Sequence, residues 1–426
     1  MKLIKILALA LACVLSAGIM FGCVSDDGAE GGSAASDVTE ITIYNNKVEI
    51  DEALKAFAAT YEAETGVRVN VRTAGGDVSY SVSLKADMQG GTEPEIFVLE
   101  GPSGFADYND RLTDLSDQPW VEDTTLEYIH EGKVMGFPVS IEGYGLAYNM
   151  AVLEQAEIDP ATLVNYAAVE AAFAKIDSMK DELGLDAVIS FPASGGMTWV
   201  TGLHNWNTYL TNGLAYDDYS VADLMMNGEV DEDRLAAYAR YVNMLFKYSD
   251  QRVLLAGTYD DQINAFVQQK TAFIHQGNWA EPNLYGAGMD FDVAFAPHPY
   301  LDEDTDGIFV AAPSWYVVNN LAPNADAAKD FLAYLASNPN GHDYMVNQAG
   351  MVPAFDSVEL LPSGQLSQSM LEWVAAGKIY NWQQYRMPDG FGMDTLGPIF
   401  TQLANGDIDE AEFCARIAAE VATLKQ

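Results

Sequence analysis

Glu142 and Tyr144 stand two residues apart in the stretch 133–149, which reads KVMGFPVSIEGYGLAYN. A carboxylate can accept strong hydrogen bonds from hydroxyl or amine donors, and a phenol ring can cover an apolar face. Gly136 and Pro138 are expected to open the stretch with a tight turn. After them Val139 and Ile141 alternate with Ser140 and Glu142, the period-2 pattern of a strand. Gly143 and Gly145 flank Tyr144, and glycine inside a strand marks a bulge or a close approach to the backbone. The stretch reads as a strand crossing between two lobes, with Glu142 and Tyr144 facing the cleft between them.

Other chemistries lack their residues. The five histidines show no HExxH spacing, and no GxSxG, Walker loop or CxxC occurs. Residues 302–307 (DEDTDG) resemble the start of a calcium loop, but position 313, where the bidentate Glu belongs, is Pro. A solvated turn is expected there. No metal and no cofactor are expected.

The elements that position such residues need a large chain. At 426 residues it exceeds what one hydrophobic core usually serves, so two lobes are expected. Apolar residues make up 49% and charged ones 19%, which is globular. A formal charge of −41 excludes nucleic acid and anionic lipid surfaces as partners of a basic patch. The acidity fits a solvated surface; a preference for cationic ligands or for high salt is the other reading.

Residues 1–22 read as a signal peptide: Lys2 and Lys5 precede an apolar run over 6–20, too short for a membrane span. Met20-Phe21-Gly22-Cys23 is similar to a bacterial lipobox, although Phe21 is bulkier than the usual small residue. Cleavage would make Cys23 the lipidated N-terminus and, with Lys2 and Lys5 lost, take the charge from −41 to −43. Cys23 and Cys414 alone would remain, so no internal disulfide framework is available, and Cys414 reads as a small buried hydrophobe. Residues 24–37, rich in Gly, Ser, Ala and Asp, read as a flexible tether.

Ordered structure is expected from Val38. Ile41 and Ile43 mark a strand, Asp51 a helix N-cap, Leu54, Phe57, Ala58 and Tyr61 the inner face of a helix over 52–64, Gly66 its stop, and Val67, Val69 and Val71 a second strand. Strand, helix and strand in about 30 residues make a βαβ unit and a parallel sheet. A helix over 78–89, a strand over 94–99 and a turn at 100–102 follow. Further on, helices are expected over 151–179 with a break at Pro160, after Asp231, over 259–268 and over 325–337; strands over 271–274, 291–295, 309–312 and 315–319; and an aromatic loop over 380–391.

In this order five segments resemble the extracellular solute-binding proteins of ATP-driven sugar importers, the group that includes maltose-binding protein. They are 41–71, GGTEPEIFVLEG at 90–101, GKVMGFPVSIEGYGLAYN at 132–149, TAFIHQGNW at 271–279, and AAPSWYVVN with DAAKDFLAYL at 311–335. The resemblance implies two α/β lobes of the type II periplasmic-binding-protein plan, joined by crossover strands and closing on a ligand. It implies an N-terminal lobe of 38–145 plus 280–315, a C-terminal lobe of 146–279 plus 316–426, and crossings near Gly143, Gly277 and Pro313.

A neutral sugar presents apolar CH faces and a ring of hydroxyls, which call for aromatic plates and planar polar groups. The candidate plates are Trp279, Trp206, Trp199, Trp315, Tyr144 and Trp382; the candidate polar contacts are Asn46, Glu49, Glu100, Glu142 and Asn278. The expectation is a monomeric, lipid-anchored, non-catalytic protein delivering a carbohydrate, an oligosaccharide by preference, to ABC permease subunits outside the cytoplasm. The membrane would be met through the lipid only. A binding protein for a cationic solute such as a polyamine, and a secreted glycosidase with two carboxylates, are the rival readings.

Overall fold

The computed structural model describes residues 39–425; the signal segment, Cys23 and the tether lie outside the described residues. Thirteen strands occur among them: β1 Glu40–Asn45, β2 Arg68–Thr73, β3 Ile96–Glu100, β4 Tyr128–His130, β5 Lys133–Pro138, β6 Glu142–Tyr144, β7 Leu146–Asn149, β8 Ala187–Ser190, β9 Thr271–Ile274, β10 Val293–Ala296, β11 Ile308–Ala311, β12 Ser314–Val318 and β13 Ile379–Tyr380.

The βαβ reading holds. β1 and β2 pair in parallel around the helix Asp51–Thr65, which buries Leu54, Phe57, Ala58 and Tyr61 and stops at Gly66 with φ 75°. Asp51 is the first helical residue rather than the cap, and its carboxylate accepts from Thr73 Oγ1 at 2.6 Å. These strands belong to a sheet of order β2-β1-β3-β12-β5-β4, in which β12 runs antiparallel to β3 and β5. The helix Ala325–Ser337 packs on it through Phe331 and Leu332. A second sheet has the order β10-β7-β9-β8, and its core takes in the helices Tyr166–Leu183 and Glu232–Lys247. Each lobe thus covers its own sheet with helices.

A three-stranded sheet, β13-β11-β6, lies where the chain passes between the lobes. The chain leaves the first sheet after β5 and enters the second at β7; it returns between β11 and β12. Residues 344–358 still pack in the first core, whereas the helix Gln365–Ala375 packs in the second, so the third crossing falls over 359–364.

This corrects the expected lobe boundaries. Residues 314–358 belong with the first lobe, because β12 fills the slot between β3 and β5. Residues 280–311 belong with the second, because β10 pairs with β7. Gly277 is no crossing: it bridges to Tyr144 while the chain continues in the second lobe.

The stretch around Gly136 is strand rather than turn. A Cβ at Gly136 would lie 2.8 Å from Trp315 and 2.9 Å from both Phe105 and Tyr128, so the glycine makes room for side chains. Gly143 and Gly145 likewise face Met370 and the Ala296 carbonyl, so the close approach comes from this chain itself. Instead of a turn, residues 101–107 begin the helix Gly101–Asp107. The acidic loop 302–307 is held by neighbours: Asp302 pairs with Arg240, Asp304 accepts from Asn165, and Asp306 pairs with Lys378.

Candidate functional site

The loop after β1 is shaped by its own side chains. Asn45 donates to the Lys47 carbonyl at 2.6 Å and accepts from the Lys47 amide at 3.2 Å. This aims Asn46, Lys47 and Glu49 into a cavity of about 140 Å³ between the lobes. Glu100 arrives from the end of β3 and Glu142 from the start of β6. Carboxyl ends of strands are where open α/β sheets place ligands.

The polar wall is a connected network. Lys47 forms an ion pair with Glu142, which also accepts from Ser140 Oγ at 2.9 Å. Glu100 Oε1 accepts from Asn46 Nδ2 at 3.0 Å, Ser314 Oγ at 3.2 Å and Tyr385 OH at 3.4 Å. Lys47 is the single lysine or arginine of the cavity wall among the described residues.

The opposite wall is aromatic. Trp279, His204, Trp199, Tyr259 and Tyr385 line it. His204 packs 4.9 Å from Trp279 and 5.2 Å from Trp199, ring centre to ring centre. Behind Trp279 stand Tyr144 at 6.1 Å and Trp382 at 5.7 Å, both close to edge-on. Trp279 Nε1 donates to Gln276 at 2.9 Å, which fixes the plane of the indole. Gly277 is obligatory beneath it, since a Cβ there would fall 1.9 Å from the indole ring.

The lobes meet across the cavity mouth. Trp199 Nε1 donates to the Gly76 carbonyl at 3.2 Å, and the Tyr259 amide donates to Asp77 at 3.2 Å. A Cβ on Gly196 would lie 2.3 Å from the Asp77 carbonyl oxygen, so the two backbones touch.

Burial pushes the Glu49 and Glu100 carboxyls up to about 7, against the attraction of Lys47. For Lys47, burial disfavours its charge, but Glu142 and then Glu49 outweigh it and hold the ammonium above its ordinary range. His204 is held well below the ordinary imidazole value by burial, then by His275 and Lys47, so it is neutral.

The raised carboxyls have a stability consequence. Between about 4.5 and 7 the folded protein holds protons that the unfolded chain has released. Their contribution is fully present below the unfolded value and is lost as pH rises through 7. The thermal midpoint should therefore fall from about pH 5 to about pH 8, and the slope should flatten in Glu49→Gln and Glu100→Gln proteins. An unchanged slope in both variants would show that other groups set it.

Of the residues singled out in the sequence, Asn46, Glu49, Glu100, Glu142, Trp199 and Trp279 come together on the cavity wall. The other five do not. Tyr144 and Trp382 stand one layer behind; Tyr144 is fully covered and donates to the His204 carbonyl at 2.6 Å. Asn278 is buried, accepting from the Gly143 amide at 2.9 Å and donating to Ser367 at 3.3 Å, and so ties β6 to the loop after β9. Trp206 lies in the second core, stacked on Tyr209 at 4.5 Å. Trp315 packs against Phe105 and Tyr128 in the first lobe and donates to the Leu126 carbonyl.

Sequence reasoning passed over Lys47, Tyr80, His204, Tyr259 and Tyr385. Lys47 had a signal, a lone cation between Asn46 and Glu49 in a very acidic chain. Tyr385 lay inside the aromatic loop. Tyr259 follows a Thr258 capping box and reads simply as the start of a helix.

Two α/β lobes around a cavity with one polar and one aromatic wall define a protein that holds a small guest between domains. The chain belongs to the bacterial extracellular solute-binding protein family, whose model matches residues 56–371. This is a family of binding proteins, not of enzymes, and the glycosidase reading falls with it.

Among its relatives is the maltooligosaccharide ABC transporter solute-binding lipoprotein of Streptococcus pneumoniae (strain TIGR4), 26% identical over 356 residues, 79% of this chain and 77% of that one. The melibiose/raffinose/stachyose-binding protein MelE of Bacillus subtilis is 22% identical over 333 residues, covering 73% and 74%. The fold matches the binding protein RafE in complex with raffinose, with a TM-score of 0.75, 16% identity, and coverage of 91% of this chain and 100% of that one. A Bacillus licheniformis sugar transporter structure in complex with stachyose matches with a TM-score of 0.73, 17% identity, and 91% and 100% coverage. Among the described residues no helix is long and apolar enough to cross a membrane.

Proposed function

We propose that this protein captures an oligosaccharide in the cavity between its lobes and delivers it to ABC permease subunits, as a monomer held outside the cytoplasm by a lipid on Cys23. The observation that carries the reading is the pairing of an indole wall, Trp279 and Trp199, with a fixed row of acceptors, Glu100, Glu142 and Glu49. Rings cover the CH faces of a sugar, and carboxyl oxygens accept hydrogen bonds from its hydroxyls. Carbohydrate names on the relatives support the same assignment.

One observation favours a cationic solute instead: three carboxylates face a single ammonium. Lys47 already neutralises Glu142, however, and burial favours the protonated form of Glu49 and Glu100. The cavity then offers hydrogen-bonding groups more than net negative charge.

Titration calorimetry at neutral pH with maltotriose, raffinose, stachyose and spermidine separates the two. Micromolar or tighter binding of one saccharide is expected. Binding of spermidine alone, or of none of the four sugars and amines, would overturn the assignment. The anchor is tested separately: mass spectrometry of membrane-extracted protein should find the lipid on Cys23, and a Cys23→Ser chain should be released.

A further inference from the structure

Glu281 is 2% exposed and lies outside the cavity wall, so contact with the guest gives its carboxylate no task. A buried carboxylate needs several donors. Its donors are the amides of Leu366 at 2.7 Å and Ser367 at 3.1 Å, and the Ser367 hydroxyl at 2.6 Å. These groups begin the helix Gln365–Ala375, whose N-cap, Gly364, has no side chain to offer. Glu281 fills that place from outside the helix: a Cβ on Gly364 would lie 2.0 Å from its Oε2. The third crossing, 359–364, therefore ends on Glu281.

The same short loop, 276–281, holds the first crossing as well. Asn278 accepts from the Gly143 amide at 2.9 Å and donates to the Ser367 hydroxyl at 3.3 Å. That hydroxyl donates in turn to Glu281, so Asn278, Ser367 and Glu281 form one chain of hydrogen bonds. Gly143 also meets the helix directly, since a Cβ there would lie 2.7 Å from the Met370 sulfur. Two residues earlier, the Ile141 amide donates to the Val352 carbonyl of the first lobe at 2.9 Å. The first crossing is thus clamped to both lobes, and Glu142 alone lies between the clamps. Trp279 stands on the loop between Asn278 and Glu281, with its ring on the cavity wall. One loop carries the aromatic plate and pins two of the crossings on the second lobe's side.

We infer that residues 276–281 couple the occupied Trp279 wall to the hinge, with Asn278, Ser367 and Glu281 as positioning residues for closure. Hinge closure turns on a few residues that absorb the backbone change, and the clamps leave those at Glu142 and in 359–363. A guest that orders Trp279 orders the loop whose other side chains fix both pivots, so wall and hinge settle together. The inference rests on the reading that the guest lies on Trp279, whatever its chemical class.

The test uses the full chain and begins without a guest. Glu281→Gln should speed hydrogen exchange of the Gly143 amide about tenfold relative to amides of the first sheet, although Gly143 does not touch Glu281. Ser367→Ala removes the linking hydroxyl and leaves Glu281 its two amides; it should speed the same exchange about threefold, and it carries the test if the first variant folds poorly. Faster exchange at Leu366 and Ser367 with Gly143 unchanged would mean a local helix cap and would overturn the coupling. The second arm adds maltotriose, raffinose or stachyose, whichever binds. Stopped-flow should show Glu281→Gln releasing the sugar about tenfold faster, with its association rate within about twofold of wild type. A purely structural role lowers the thermal midpoint without moving that release rate, and an unchanged rate overturns the role in closure. Wild-type protein that binds none of the sugars, while Gly143 exchange responds as expected, overturns the carbohydrate reading and leaves the loop's hold on the hinge standing.

Discussion

Replacing Lys47 by Met should destabilise the folded protein by about 3 kcal/mol or more, because it strands Glu142 as an uncompensated buried charge. The side chains of Lys47 and Glu142 are only 10% and 6% exposed. Lys47 also lies next to Glu49 and Glu100, and its removal loses their attraction as well, in proportion to their ionised fraction. Unfolding entropy grows with length, so in a chain of 426 residues each kcal/mol moves the thermal midpoint by about 1 °C, and a fall of about 3 °C or more is expected at neutral pH. The signature is reciprocal. Adding Glu142→Gln to Lys47→Met should restore part of the loss, because it removes the stranded charge. The double variant should differ from the sum of the singles by more than about 1 kcal/mol. Calorimetric scans of the four proteins decide it. Strict additivity would mean that the pair contributes nothing to the fold.

Trp279→Ala should weaken saccharide binding by about a hundredfold or more while leaving the fold intact. The indole is half-buried with one face toward the cavity. Burying the face of one sugar ring on an indole is worth about 2–3 kcal/mol, which corresponds to one to two powers of ten in Kd. The loss of its contacts with Tyr144, His204 and Trp382 loosens the wall further. Trp279→Phe keeps a plate but loses the bond to Gln276 and should fall between. Isothermal titration with the saccharide that binds wild type is the measurement. An effect under threefold for the alanine variant would remove Trp279 from the binding surface.

Local periodicity made parts of the fold legible in the sequence. The Ile41/Ile43 alternation, the Leu54–Phe57–Tyr61 stripe and the strand Thr271–Ile274 each declare themselves because one face is buried and the other is not. Long-range pairing left no such trace. Whether the strand around Trp315 joins the lobe before it or the one after it depends on a slot between β3 and β5, and only the assembled sheet has that slot.

The site divided in the same way. Asn46, Glu49, Glu100 and Glu142 were readable because they follow or begin strands at the sheet edge. The tryptophans were not separable by type. Trp199 reaches the cavity and Trp206 faces the core, seven residues on, because the π-helical segment Val200–Asn205 between them breaks the ordinary helical phase. Tyr144 was read to the correct face but the wrong depth, since period 2 gives a direction and not what lies on top.

Trp199 belongs to two systems at once. Its ring borders the cavity, and its indole nitrogen is tied to the Gly76 carbonyl on the far lobe. Letting go of the cargo and parting the domains therefore draw on the same residue. Substitutions there should shorten the residence time of the cargo far more than they slow its capture, and the emission of that one indole should report in real time whether the molecule is shut.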